Sequence, residues 1–327
     1  MNQESRIKKN NQLLKQNSNS EFGFGTTSNT DGQRILNKDG SANINRLGEP
    51  RFSLVNIYHT LISISWWKFS LLVLSFYLSF NLLFTLAYYF ICPDDIAGMI
   101  YNNEREKFME IFFFSSQSLT TVGYGRLNPT GIIASSIAGL ESMLGLMGFA
   151  MATGLLYGRF SRPTAKLLYS ENIIIAPYTH PMLSVNAPTA LMFRIANARR
   201  NQLIEVESLI LFSFNETEDG NTRRKFATLN LEVSKISFLA MSWTIVHPIN
   251  EESPLKDLSA QDMQDLDVEF LVSIKAIDDT YSQQIFARNS YKWTELKFDS
   301  KFTSILSKSN HGKTNIDLRK LSATEKY

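Results

Sequence analysis

Thr121-Val122-Gly123-Tyr124-Gly125 sets two glycines two positions apart behind a threonine. For successive backbone carbonyls to face one axis, the chain must visit conformations that ordinary L-residues resist, and Gly123 and Gly125 supply that freedom. A potassium ion gives up its hydration shell only if several oxygens replace it at once, and rings of carbonyls do this without adding full charges. The backbone oxygens of Thr121, Val122, Gly123 and Tyr124 are therefore the expected potassium ligands, with the Thr121 hydroxyl extending the ladder inward. Val122 and Tyr124 are expected to turn their side chains away into packing. One such strand cannot encircle an ion, so four copies about a cyclic axis are required. A glycine-containing tight turn is the bland alternative.

Positioning such a strand takes surrounding helices. No charged side chain occurs from Phe69 to Pro93, and Glu141 is the only one from Leu127 to Gly158. Both runs are long enough to cross a hydrocarbon core of about 30 Å. Between them, Phe108–Phe114 is too short to cross and fits a re-entrant half-helix, tolerated at that depth only inside protein. Its partially negative C-terminus would face an ion. Before the first run, Leu54, Tyr58, Leu61, Ile62 and Trp66 share a helical face, which predicts an interfacial helix over residues 53–67. Arg46, Arg51 and Lys68 precede the first span, and Arg159, Arg162 and Lys166 follow the second. That bias predicts a multi-pass cell-membrane protein with both termini cytoplasmic.

The remainder reads differently. Residues 1–33 are polar and predicted to be disordered. Residues 34–52 read as an N-terminal cytoplasmic strand and linker, and residues 68–162 as the pore domain. Residues 163–327 alternate in short runs such as Leu191–Ile195, Leu203–Phe214, Phe226–Val233 and Val268–Ala276, with breaks at Asp219-Gly220-Asn221 and Glu252-Ser253-Pro254. Such spacing predicts a β-sandwich. The fold class is thus an α+β membrane protein: two transmembrane helices, a re-entrant pore loop and a cytoplasmic immunoglobulin-like β-sandwich.

With 33 Lys+Arg against 31 Asp+Glu, net charge is +2, which argues against a nucleic-acid partner. A single cysteine, Cys92, excludes a disulfide-built scaffold. The first 50 residues hold no apolar run resembling a secretory leader. His59, His180, His247 and His311 lack metal-ligand spacing, no phosphate-cradling loop is present, and no cofactor or enzymatic activity is expected.

Thr121–Gly125 is identical to the potassium-channel signature, and other segments resemble the prokaryotic branch of the inward-rectifier potassium channel family. Residues 56–66 resemble its interfacial slide helix, Ala152–Tyr157 and Gly158–Pro163 its inner-helix exit. Residues 191–197 with Arg199-Arg200, then 243–249, 252–255 and 287–291, resemble its cytoplasmic domain, and Arg34–Ile44 its N-terminal strand. The resemblance spans residues 34–327 and implies a homotetramer passing potassium as permeant ion, gated where the inner helices cross. Tyr157 resembles the constriction and Gly145 the hinge. Phe149 occupies the cavity position that is acidic in strong rectifiers, so strong rectification through this site is not expected. Glu141, eight residues earlier, either backs the filter or touches the ion pathway. Asp219 and Asp279 resemble acidic vestibule positions. Arg51, Lys68, Arg159, Arg162 and Lys166 are candidate contacts for anionic lipids or phosphoinositides, each worth about 1 kcal/mol near such a surface. In the family a pore-helix acid pairs with a basic residue after the filter. Here Gln117 takes the acid's place while Arg126 follows Gly125, so that ion pair is expected to be missing. A membrane-anchored sensor and a non-selective cation channel are the competing readings.

Overall fold

The computed structural model describes residues 33–45, 54–161, 165–178, 188–218, 221–308 and 314–326. Arg51, Arg162, Asp219, His180, His311 and the polar tail up to residue 32 lie outside them. The chain divides into two units, Gly48–Arg162 and a second made of Met1–Leu47 with Pro163–Tyr327.

In the first unit, helix α1 (Leu54–Ser63) precedes α2 (Trp66–Ile91). The expected interfacial helix is therefore shorter than residues 53–67: Trp66 and Trp67 open the span instead of closing the helix before it. Helix α3 (Glu104–Leu119) and helix α4 (Gly131–Phe160) complete the unit. At 1.5 Å per residue, α2 and α4 reach about 39 and 45 Å and can span, whereas α3 at about 24 Å cannot. Asn103 starts α3 by accepting a hydrogen bond from the Glu106 amide at 2.9 Å. Glu104 and Glu106 suit the positive end of that helix. Strands β1 (Ile96–Ala97) and β2 (Asn128–Pro129) pair antiparallel and tie the segment after α2 to the one before α4. Phe84, Tyr88, Ile111, Phe114 and Leu127 pack into one apolar cluster, which also takes in the buried Cys92 as a small apolar side chain.

The second unit is a sandwich. Its first sheet joins β6 (Leu203–Glu218), β7 (Asn221–Thr228), β8 (Lys235–Leu239), β10 (Glu269–Asp278) and β11 (Gln283–Lys292). The second joins β3 (Leu167–Tyr169), β4 (Ile173–Pro177), β5 (Thr189–Asn197), β9 (Ser242–Ile249) and β12 (Leu296–Phe298). Inward residues of both sheets, among them Phe193, Ile210, Phe212, Phe270 and Tyr291, form a single core.

Two segments depart from the sequence reading. The strand expected over Phe226–Val233 lies at Asn221–Thr228, so its N-terminal half is polar. The reason is Arg224, whose buried guanidinium pairs with Asp267 at 2.8 Å and lies 3.5 Å from buried Glu269. A strand that buries an ion pair does not read as alternating apolar. Residues 34–44 form a small hairpin with one bridge, Leu36 to Ala42, and belong with the sandwich. The Ile35 amide donates to the Glu269 carboxylate at 3.0 Å, and the Ser290 hydroxyl donates to the Leu36 carbonyl at 2.6 Å.

Candidate functional site

The strand after α3 alternates in backbone hand. Thr121 (φ 57), Gly123 (φ 54) and Gly125 (φ 89) are left-handed, whereas Val122 and Tyr124 between them are not. Alternation of this kind brings successive carbonyls round to one side of the strand. Glycine explains two of the three positions; the threonine is unexpected, because a β-branched side chain resists positive φ. The end of α3 holds it there. The Thr121 amide donates to the Ser118 carbonyl at 3.1 Å and the Val122 amide to the Gln117 carbonyl at 3.0 Å.

Inner helix α4 presses on this junction from behind. A Cβ at Gly145 would lie 1.9 Å from the Leu119 carbonyl oxygen, so the glycine is needed for close approach, and α4 runs unbroken through it. The Ser142 hydroxyl donates to the Ser118 carbonyl at 3.0 Å. One turn back, Glu141 is fully buried and accepts from the Ser115 hydroxyl at 2.5 Å and the Tyr88 hydroxyl at 2.8 Å. Within this chain Glu141 therefore braces α2 and α3 behind the filter strand. Thr85 and Asn81 extend the polar seam along α2, the Thr85 hydroxyl donating to the Asn81 carbonyl at 2.6 Å. Buried hydroxyls and amides satisfied in this way fix the register of three apolar helices.

Beyond the filter, Arg126 pairs with Glu110 of α3 at 2.7 Å and donates to the Gly98 carbonyl at 2.9 Å. Arg126 thus meets an acid of α3 after all, though from Glu110 and not from the place that Gln117 takes. Glu110 lies seven residues before Gln117, nearly two full turns and thus on the same face of α3. Reading back along that face, rather than matching one position, would have found it. The Asn128 amide group also donates to the Gly125 carbonyl at 2.9 Å.

At the other end of α4, Phe149 and Tyr157 are each 74% exposed in the single chain. Arg159, a candidate lipid contact from sequence, donates within the chain to the carbonyls of Leu61 and Ile64, both at 2.7 Å. Lys68 and Lys166 are exposed, and Lys68 lies 6.0 Å from the Trp67 ring centroid. In the sandwich, exposed Asp279 closes the β10–β11 turn, its carboxylate accepting from the Gln202 amide at 3.2 Å. Among the described residues no cluster of His, Cys, Asp or Glu could hold a metal ion.

Two membrane-length helices flanking a half-span that ends in a strand of alternating hand define a two-span channel pore joined to a β-sandwich. Residues 36–163 match the inward rectifier potassium channel transmembrane domain, and residues 183–327 match the inward rectifier potassium channel C-terminal domain. The chain belongs to the inward rectifier potassium channel family. It is 37% identical to the inward rectifier potassium channel Kirbac3.1 of Paramagnetospirillum magnetotacticum, over 88% of this chain and 94% of that protein. It is 26% identical to the mouse (Mus musculus) G protein-activated inward rectifier potassium channel 2, over 84% of this chain and 68% of the other. Among solved structures, the sporulation control protein Spo0M of Bacillus subtilis aligns with 42% of this chain and 50% of its own at 11% identity, but its TM-score of 0.23 carries no weight.

Proposed function

We propose that this chain forms a homotetrameric, potassium-selective channel of the cell membrane that conducts passively, with both termini in the cytoplasm. The observation that carries the reading is the alternating backbone hand at Thr121, Gly123 and Gly125, set at the C-terminal end of a helix too short to cross. Four such strands supply the rings of oxygens that a dehydrated potassium ion requires. Tyr124, 80% exposed, and Val122, 54% exposed, support assembly, because their cover has to come from neighbouring copies.

In this reading Phe149 lines the inner cavity and Tyr157 forms the constriction at the bundle crossing, blocking by dewetting. Gly145 serves as hinge in addition to its contact with Leu119. Asp279, and Asp219 outside the described residues, attract cations in the vestibule of the β-domains. Lys68 and Lys166, with Arg51 and Arg162, respond to anionic lipid.

The test is rubidium uptake into liposomes holding the purified protein. Uptake that barium blocks, that excess sodium does not compete away, and that Gly123→Ala abolishes supports the proposal. No flux in any lipid mixture would favour a membrane-anchored sensor, and comparable sodium uptake a non-selective pore.

A further inference from the structure

The last turn of α4 is fastened to α1 through a single guanidinium. The Leu61 carbonyl lies in the final turn of α1, where helix carbonyls lack partners within their own helix, and that of Ile64 follows directly after it. Arg159 reaches both, each at 2.7 Å. A cation at this place also meets the negative end of the α1 dipole. The guanidinium carbon lies 4.6 Å from the ring centroids of both Trp66 and Phe69 at the start of α2. Its Nε is buried without a hydrogen-bond partner, and among the described residues no carboxylate pairs with it. The same turn of α4 gives α1 a close seat, since a Cβ at Gly158 would lie 2.9 Å from the Tyr58 hydroxyl oxygen. The Phe160 ring adds a contact of 5.0 Å between centroids with Trp66.

Only arginine fits this arrangement. Its planar fork serves two carbonyls at once while its faces meet aromatic rings, whereas a lysine ammonium is a compact point charge. We propose that Arg159 is the positioning residue through which the interfacial helix α1 sets the cytoplasmic end of α4. Tyr157 lies two residues away on the same helix, so its position cannot change without carrying α1 along or opening the clasp. This inference rests on the channel reading above and adds to it the residue that links α1 to the gate.

The experiment uses the full-length protein in liposomes of two compositions, wholly zwitterionic and partly anionic, with Arg159→Gln, Arg159→Lys, Trp66→Leu and the double variant Trp66→Leu/Arg159→Gln. The clasp predicts that Arg159→Gln and Trp66→Leu shift initial rubidium uptake in the same direction by about tenfold, the factor 1.4 kcal/mol represents. It predicts that the double variant shifts uptake no further than the larger single effect, that Arg159→Lys restores only part, and that potassium-over-sodium preference is unchanged. The shift should be the same in both lipid mixtures. Wild-type uptake in Arg159→Gln, additive effects in the double variant, or a change confined to anionic vesicles would each overturn it, the last by assigning the guanidinium to lipid headgroups. If Arg159→Gln does not assemble, the Arg159→Lys and Trp66→Leu comparison carries the same decision. Should the wild-type protein pass no rubidium, the channel reading fails by itself, and the clasp is read from spin labels at His59 and Ser161. Their distance distribution should broaden in Arg159→Gln whether or not ions flow, and an unchanged distribution refutes the clasp.

Discussion

Glu110 and Arg126 form an ion pair 2.7 Å long that joins the middle of the pore helix to the residue directly after the filter strand. Arg126 is half exposed and Glu110 largely covered, so the pair is worth no more than roughly 1 kcal/mol in isolation. Its geometric role is larger, because it closes the far end of a strand whose near end is fixed by Ser118 and Gln117. Glu110→Gln should lower the thermal midpoint of the assembled protein and weaken potassium-over-sodium discrimination in flux assays. The exchange Glu110→Arg/Arg126→Glu should recover part of both; if it recovers neither, the pair does not brace the filter.

Removing the brace behind the filter should be costlier. Glu141→Leu leaves the buried Tyr88 hydroxyl without its acceptor, at about 1–3 kcal/mol for an unsatisfied group, while the Ser115 hydroxyl falls back on the longer bond to the Asn81 carbonyl at 3.2 Å. Glu141→Gln keeps an acceptor and should cost clearly less. Thermal denaturation in detergent ranks the three proteins, and a Glu141→Leu variant as stable as the parent would show that the seam is dispensable.

Two glycines of α4 make a controlled pair. Gly145 meets the Leu119 carbonyl, whereas a Cβ at Gly154 would find nothing within 4 Å in the chain. Gly145→Ala should therefore displace the end of the pore helix and abolish rubidium flux, and Gly154→Ala should leave chain stability within about 1 kcal/mol of the parent. Equal flux from Gly145→Ala and the parent would refute the close contact.

His247 gives the sandwich a dependence on acid. Its Nδ1 is 2.7 Å from the Asn230 carbonyl and its Nε2 is 2.8 Å from the Ser253 hydroxyl. Burial, opposed by the bond to Asn230, holds its pKa down to about 4. The unfolded chain takes up this proton near pH 6.5, so stability is full above that pH and falls as pH drops from 6.5 toward 4. The loss from this group alone approaches about 3 kcal/mol. Chemical denaturation between pH 7 and 4 should show that slope in the wild type and lose it in His247→Gln; an identical slope in both would assign the acid sensitivity to other groups.

Much of this fold was legible because apolar periodicity and charge-free length report directly on burial and on membrane thickness. Leu203–Phe214 falls inside β6 and all of Val268–Ala276 but its first residue inside β10 for that reason. What stayed hidden was held by polar groups whose partners are distant in sequence. Arg224 displaced the expected strand toward its apolar end at Phe226, because its charge is cancelled by Asp267 and Glu269 some forty residues away. Glu110 was passed over because a pairing position was sought at Gln117 alone. The bonds from Arg159 to Leu61 and Ile64 were not foreseen because carbonyl acceptors leave no trace in a sequence. Thr121 was read for its hydroxyl, while its backbone hand became visible only in three dimensions.

That backbone hand has a cost. A threonine held at φ 57 stores on the order of 1–3 kcal/mol, and a ring of four would concentrate the whole sum at one level of the pore. Attraction between carbonyls and the permeant cation opposes that tension. In the proposed tetramer, occupancy and shape would then belong to one equilibrium, in which a pore starved of its ion loses what holds Thr121 taut.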